Sequence, residues 1–235
     1  MELFFTTPDR ISSGRASFDD FESRHILRTL RKSTGDIIDF TDGQGAHYQG
    51  RIIHERPLLQ TQANLIKRHD RHGIKLIASI GFIKQARLDF IIEKGTEIGI
   101  DRFMFFYSKF SNYFTDNISR WQKISRQAVK QSLRYFMPEF SVFHSFSEFL
   151  DAADGFEIKL LTEQSADERW QDIFPAISPA KCDLLFAVGP EGGLDKHEIK
   201  SALSRGFRGI SFGDHRLRTE TAVLSTAALL NVLRT

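Results

Sequence analysis

The chain has 235 residues, enough for one substantial core or for a small domain joined to a larger one. Apolar residues make up 41 % and charged residues 26 %, an ordinary globular composition, and a formal net charge of +2 neither demands nor excludes a nucleic-acid partner. The single cysteine, Cys182, excludes an intrachain disulfide and a cysteine-rich metal site, and the histidine spacing forms no metal site either.

Met1-Glu2-Leu3-Phe4-Phe5 carries neither a basic leader nor a cleavage signal, and no apolar run reaches the length of a membrane span. A cytoplasmic protein is the expectation. Residues 1–72 read as a small β-rich unit, with a strand over 3–6, a short helix over 21–31 and strands over 36–40, 47–53 and 58–66. Asp42-Gly43-Gln44-Gly45 supplies the tight turn between the second and third of these strands. The polar run 67–73 ends the unit, which places the domain boundary near residue 73.

Over residues 73–235 strands alternate with helices. Strands are expected at 75–80, 102–107, 157–161, 183–188 and 209–212. Helices are expected at 85–98, where Leu88, Ile91, Ile92 and Ile98 share a face, and at 116–135, 195–205 and 219–233. Pro175 and Pro179 bracket a connector before the strand at 183. The alternation predicts an α/β domain with a largely parallel sheet covered on both faces. Ligands of such sheets bind beyond the carboxyl ends of the strands.

Two glycine-containing loops occupy that kind of position. The first, Gly189-Pro190-Glu191-Gly192-Gly193, follows a buried strand and lets a ligand approach main-chain groups closely. Asp195 and Glu198 then have capping-box spacing. The loop lacks the glycine spacing of a phosphate cradle, and its acidic residue suits a neutral or cationic ligand. On local physics alone an ordinary strand-to-helix turn is an equally good reading. The second loop, 211–222, crowds Asp214, His215, Arg216, Arg218 and Glu220 between a strand and an apolar helix; it reads either as a solvated loop that uses Thr219 as a helix cap or as an organised polar network, which the charge density favours.

Four segments carry a family resemblance. They are His25-Ile26-Leu27-Arg28-Thr29-Leu30-Arg31 with Gly35-Asp36 and Asp42-Gly43; Glu93-Lys94-Gly95-Thr96-Glu97-Ile98-Gly99; Lys130-Gln131-Ser132-Leu133-Arg134 followed by Pro138; and the first loop paired with Leu217-Arg218-Thr219-Glu220-Thr221-Ala222. Together they resemble the RsmE-type 16S ribosomal RNA uracil-N3 methyltransferases of the SPOUT superfamily. The resemblance implies an α/β trefoil-knot methyltransferase domain behind a small PUA-like β-barrel that helps to hold RNA. It also implies a homodimer acting on 16S ribosomal RNA of the small ribosomal subunit, with S-adenosylmethionine as cofactor and no metal. Two segments depart from the family pattern. Tyr107-Ser108-Lys109-Phe110-Ser111 stands where the family has Glu-Arg-Ser, and Lys130 stands where it has Glu.

Carried onto these positions, cofactor contacts are expected at Leu161, Thr162, Gly189, Pro190, Glu191, Gly192, Gly193, Phe212, Gly213, Leu217, Arg218, Thr219 and Ala222. Arg134 is the candidate to stabilise a developing uracil anion, with Arg218 and Glu220 beside it. RNA contacts are expected from His25, Arg28, Arg31 and Lys32, from Lys109, and from a helical stripe of Arg120, Lys123 and Lys130 that continues to Arg134. The aromatic run Phe103, Phe105, Phe106 and Tyr107 reads as sheet core. Two alternatives stand beside this reading: a SPOUT methyltransferase acting on another nucleotide or on a ribose 2′-OH, and a noncatalytic ribosome-assembly factor that binds RNA.

Overall fold

The structure, a computed structural model, describes residues 2–71, 73–177 and 181–234. The chain forms two compact units, the first being the chain up to Arg71 together with Arg126–Met137, and the second the remainder. The boundary expected near residue 73 assigns residues 126–137 to the second domain. Long-range backbone bonds tie them to the first: Gly45 N–H donates to the Tyr135 carbonyl at 2.8 Å, and Met137 N–H to that of Gly43 at 2.9 Å.

The first unit is a six-stranded sheet in the order β1-β4-β5-β6-β3-β2, formed by β1 (Leu3–Phe5), β2 (Ile11–Ser12), β3 (Arg15–Ser17), β4 (Ile37–Thr41), β5 (Ala46–His54) and β6 (Gln60–Arg68). β1 runs parallel to β4 and the other pairs are antiparallel. Alternation selects the inner face. Ile38 and Phe40 of β4 are buried beside Ile52, Phe18 and Ile26, while Ile37 is exposed on the outer face. The β4–β5 turn closes because the Asp42 carboxylate accepts from Gln44 N–H at 2.7 Å and Ala46 N–H at 3.1 Å. Gly45 (φ 97°) has no room for a side chain, since a Cβ there would stand 2.5 Å from the Phe136 ring. Helix α1 (Asp20–Arg24), capped by Asp19, continues into a π-helical turn at His25–Thr29, so the expected helix over 21–31 is shorter and wider than a regular α-helix.

The second unit is an all-parallel sheet in the order β12-β10-β11-β7-β8-β9. Its strands are β7 (Leu76–Gly81), β8 (Arg102–Phe106), β9 (Glu139–Phe143), β10 (Ile158–Thr162), β11 (Leu184–Val188) and β12 (Arg208–Ile210). The helices are α2 (Gln85–Ile98), α3 (Ile118–Gln131), of which residues 126–131 belong to the first unit, α4 (Phe146–Ala153), α5 (Trp170–Ile177), α6 (Lys196–Ser204) and α7 (Thr219–Val232). Leu184, Phe186 and Val188 of β11 pack with Leu88 and Ile91 of α2, Ile173 of α5 and Val223 and Ala227 of α7. Leu185 and Ala187 point the other way, toward Phe149 of α4 and Ala202 of α6. Both faces of the sheet are therefore covered, as buried parallel strands require.

Three local expectations change. α3 stops at Gln131 instead of reaching residue 135: Leu133 turns left-handed (φ 55°) and Arg134 N–H reaches back to the Val129 carbonyl at 3.0 Å, the pattern of a Schellman motif without its usual glycine. Arg134 thus lies beyond the helix rather than on its stripe. Pro175 sits inside α5, so that segment is a helix and not a connector; Pro179 lies outside the described residues. Finally, β8 ends at Phe106, and Tyr107 is 40 % exposed rather than part of the sheet core.

Candidate active site

The ends of β10, β11 and β12 open onto one cavity. Chain order reverses where β11 meets β7, and open parallel sheets bind ligands beyond their carboxyl edge at such a reversal. The cavity measures about 510 Å³, within the range of small-molecule sites. Thr162, Glu163 and Gln164 line it after β10, residues 188–194 after β11, and Ser211, Phe212, Gly213 and residues 215–219 after β12; Ala222 and Arg87 complete the wall.

The first loop is packed backbone against backbone. A Cβ on Gly81 would meet Pro190 Cδ at 2.5 Å, and one on Gly192 would lie 2.8 Å from the Cβ of Phe110. Gly193 N–H donates to the Pro190 carbonyl at 2.8 Å, with Gly193 at φ 77°. The chain then enters α6 through a capping box, in which Asp195 accepts from His197 N–H at 2.9 Å and Glu198 from Asp195 N–H at 2.8 Å. The Lys109 ammonium 2.7 Å away, with the His197 amide, holds the Asp195 carboxyl below its ordinary range.

The second loop is joined to the first by a hydroxyl. Thr219 is not a cap: the N-cap of α7 is Arg218, and the Thr219 hydroxyl instead donates to the Gly189 carbonyl at 3.1 Å. Charge adds a second tie. Arg87 Nη1 donates to Glu191 Oε1 at 3.1 Å, Arg87 Nε lies 3.8 Å from Glu220 Oε1, and Arg216 donates to the Glu191 carbonyl at 2.8 Å. Glu220 is largely buried, and its Oε2 has no hydrogen-bond partner among the described residues. Such a cavity offers main-chain donors and acceptors, small walls and two carboxylates, Glu163 and Glu191, set among the guanidinium groups of Arg87, Arg216 and Arg218. Among the described residues no group of three or more side chains could hold a metal ion.

Of the expected cofactor residues, Thr162, the five of the first loop, Phe212, Gly213, Leu217, Arg218, Thr219 and Ala222 all line this cavity. Leu161 does not; it is fully buried in the core on the α4–α6 side of the sheet. Arg87, Glu163, Gln164, His215 and Arg216 line the cavity without having been expected there. A signal for Arg87 was present, since it occupies the first turn of a helix that follows a strand end.

A family model described as RNA methyltransferase domain matches residues 70–231. The chain belongs to the RNA methyltransferase family. Within it, the similarity runs to the RsmE-type members. The ribosomal RNA small subunit methyltransferase E of Bacillus subtilis is 29 % identical over 215 residues, covering 86 % of this chain and 84 % of that protein. The enzyme of the same name from Synechocystis is 25 % identical over 96 % of this chain and 76 % of its own length. Among solved structures, a ribosomal RNA small subunit methyltransferase E from Neisseria gonorrhoeae bound to S-adenosyl methionine superposes with a TM-score of 0.84 at 25 % identity, over 99 % of this chain and 98 % of that one. A probable rRNA-methyltransferase from Porphyromonas gingivalis gives 0.82 at 27 % identity, over 100 % and 98 %. The fold of this RNA methyltransferase is accordingly the SPOUT α/β trefoil-knot domain with an N-terminal PUA-like barrel.

The basic residues expected to meet RNA have varied surroundings. Arg28 and Arg31 are exposed, His25 and Lys32 half-buried, while Ile26 beneath them is fully buried. On α3, Arg120 is engaged with the Asp89 carboxylate at 2.7 Å, and Lys123 is exposed with no ion pair among the described residues. Lys130 is not on a solvent-facing track: its ammonium is buried 2.8 Å from Oε2 of Glu22, whose other oxygen accepts from Phe5 N–H at 2.9 Å. A buried carboxylate is costly unless it is paired, and Lys130 supplies the cation for Glu22. Lys109 is likewise committed, to Asp195. No described helix is long and apolar enough to cross a membrane.

Proposed function

We propose that this RNA methyltransferase transfers a methyl group from S-adenosylmethionine to N3 of a uracil in 16S ribosomal RNA, acting in the cytoplasm as a homodimer on the small ribosomal subunit. The observation that carries the reading is the cavity walled by both glycine loops and tied by Thr219 to Gly189, in a chain whose likeness extends over its whole length to a relative bound to the same cofactor. The residues present suit that cofactor. A Cβ at Gly193 would meet nothing within 4 Å, so the loop leaves open space beside its backbone, and Glu191 supplies a rim carboxylate to complement a sulfonium.

When bound, S-adenosylmethionine supplies an activated methyl group, so the chain itself has to bind, orient and control charge. Thr162, the first loop, Phe212, Gly213, Leu217, Thr219 and Ala222 hold the cofactor through the cavity wall. Arg87 keeps Glu191 in place. Uracil N3 is protonated near neutral pH, and its methylation needs stabilisation of the anion that forms as the proton leaves. Arg134 takes that role, Arg218 at the cavity wall orients the base, and Glu220, whose Oε2 has no hydrogen-bond partner among the described residues, is the acceptor left to position Arg134 or the RNA. RNA backbone is held by Arg28, Arg31 and Lys123.

Incubation of the purified protein with undermethylated small-subunit particles and labelled cofactor, followed by nucleoside analysis, tests the reading. Label in 3-methyluridine is the expected result, and label confined to any other nucleoside overturns it.

A further inference from the structure

The segment between β8 and α3 carries features that the methyl-donor cavity does not explain. Within eight residues it exposes four large rings: Tyr107 at 40 %, Phe110 at 41 %, Tyr113 at 38 % and Phe114 at 47 %. Isolated exposed apolar side chains need no account, but four rings in one loop form a patch that does.

The loop is built, not slack. Ser108 and Ser111 are buried and bonded to each other, Ser111 Oγ accepting from Ser108 N–H at 3.1 Å. Lys109 fixes the tip twice, its N–H donating to Glu198 Oε1 at 2.9 Å and its ammonium to Asp195 Oδ2 at 2.7 Å. Phe114 is braced by Phe82, with ring centroids 5.0 Å apart, by His144 at 5.3 Å and by Tyr107 at 6.4 Å. Phe110 abuts the wall of the methyl-donor cavity at Gly192. Tyr113 makes no ring contact or side-chain hydrogen bond among the described residues.

We propose that this loop is a stacking platform for unpaired bases of the RNA substrate, with Phe110 and Tyr113 receiving nucleotides that flank the methylated one. The inference rests on the RNA-methylating reading above and extends it. A base delivered to the cavity leaves its neighbours one nucleotide away, and they have to lie against whatever rims the wall; sequence-tolerant recognition of unpaired bases relies on aromatic faces. The loop's one cation, Lys109, is paired with Asp195 at 2.7 Å and lies 5.5 Å from the Phe110 ring centroid, so it occupies one face of that ring and leaves the other for a base. This chain thereby uses stacking in the segment where it departs from the family's Glu-Arg-Ser.

The test uses Phe110→Ala and Tyr113→Ala, with Phe110→Leu and Phe110→Trp as controls. Ala retains the Cβ that meets Gly192, and Tyr113 has no ring contact or side-chain hydrogen bond among the described residues to lose. Readouts are KM on undermethylated small-subunit particles, affinity for an oligouridylate bearing one 2-aminopurine, S-adenosylmethionine affinity by calorimetry, and association state by sedimentation. Each Ala variant is expected to raise KM and weaken oligonucleotide binding about tenfold, with the salt dependence and cofactor affinity unchanged. Phe110→Leu keeps apolar bulk without a ring face and should behave like Ala, whereas Phe110→Trp should restore binding and quench the 2-aminopurine. Unchanged oligonucleotide affinity in both Ala variants overturns the platform, as does a loss that Leu rescues. Dissociation of the protein into monomers by these variants overturns it too, because the rings would then serve a second copy of the chain. A wild-type protein that methylates no RNA counts instead against the enzymatic reading.

Discussion

The Thr219 hydroxyl donates to the Gly189 carbonyl at 3.1 Å, joining residues thirty positions apart into a single wall of the cavity. Thr219 is 5 % exposed, so water cannot easily replace the bond. Thr219→Val keeps the branched shape and leaves the carbonyl without its donor, at a cost of about 1–3 kcal/mol. Cofactor affinity measured by calorimetry should fall about five- to tenfold, and Thr219→Ser should recover most of it. Equal affinities in wild type and Thr219→Val would show that the two loops hold their spacing without this bond.

Glu22 and Lys130 are the second tie to test. Their side chains are 0 % and 9 % exposed, so removing either partner strands a charge where water cannot solvate it, a loss of about 3–5 kcal/mol. Lys130→Met should therefore lower the midpoint of denaturant unfolding sharply. The double change Lys130→Met with Glu22→Gln should regain most of the stability, because neither residue then carries a charge. An RNA-contact role for Lys130 predicts the opposite pattern: unaltered stability and a smaller salt dependence of RNA binding.

What the sequence made legible was local. The repeat of Leu88, Ile91 and Ile92 located α2 to the residue, and the glycine loop and Asp195–Glu198 spacing located the cavity wall and the start of α6. Ser145 and Glu148 have the same capping spacing ahead of Phe146 and Phe149, a readable signal of α4 that the phenylalanine-rich, short segment obscured. What could not be read was decided by distant partners. Lys130 lies on a helix face that looks solvated in projection, but Glu22, more than a hundred positions away, draws it inward. Arg87 joined the site only because the fold brings Glu191 and Glu220 beside it. The end of α3 also escaped, because Leu133 adopts a left-handed conformation that usually advertises itself with glycine.

Acid should loosen the entry to α6. In the folded protein the Lys109 ammonium and the His197 amide hold the Asp195 carboxyl below the ordinary value of 3.8, so the unfolded chain takes up a proton first as pH falls. The contribution is complete above pH 3.8 and is lost as pH drops through the folded value. Asn also caps helices well, so Asp195→Asn should retain the cap while removing the titration. Thermal unfolding of wild type from pH 7 down to pH 3, compared with Asp195→Asn, should show a gap in midpoint that narrows below about pH 4. A gap constant over the whole range would mean that the carboxylate contributes nothing beyond the cap.

Gly192 and Gly193 separate two reasons for a glycine in the same loop. At Gly193 the backbone is left-handed (φ 77°) but a Cβ meets nothing within 4 Å, so Gly193→Ala adds backbone strain alone, about 1 kcal/mol. At Gly192 no left-handed conformation is involved, yet a Cβ would stand 2.8 Å from the Cβ of Phe110, and neither atom can rotate away. Gly192→Val must then displace the loop backbone, at about 1–3 kcal/mol. S-adenosylmethionine affinity should drop about tenfold or more for Gly192→Val and by less than that for Gly193→Ala. Pairing Gly192→Ala with Phe110→Gly removes the opposing Cβ and should restore cofactor affinity relative to Gly192→Ala alone. If it does not, steric contact with Phe110 is not what requires glycine at 192.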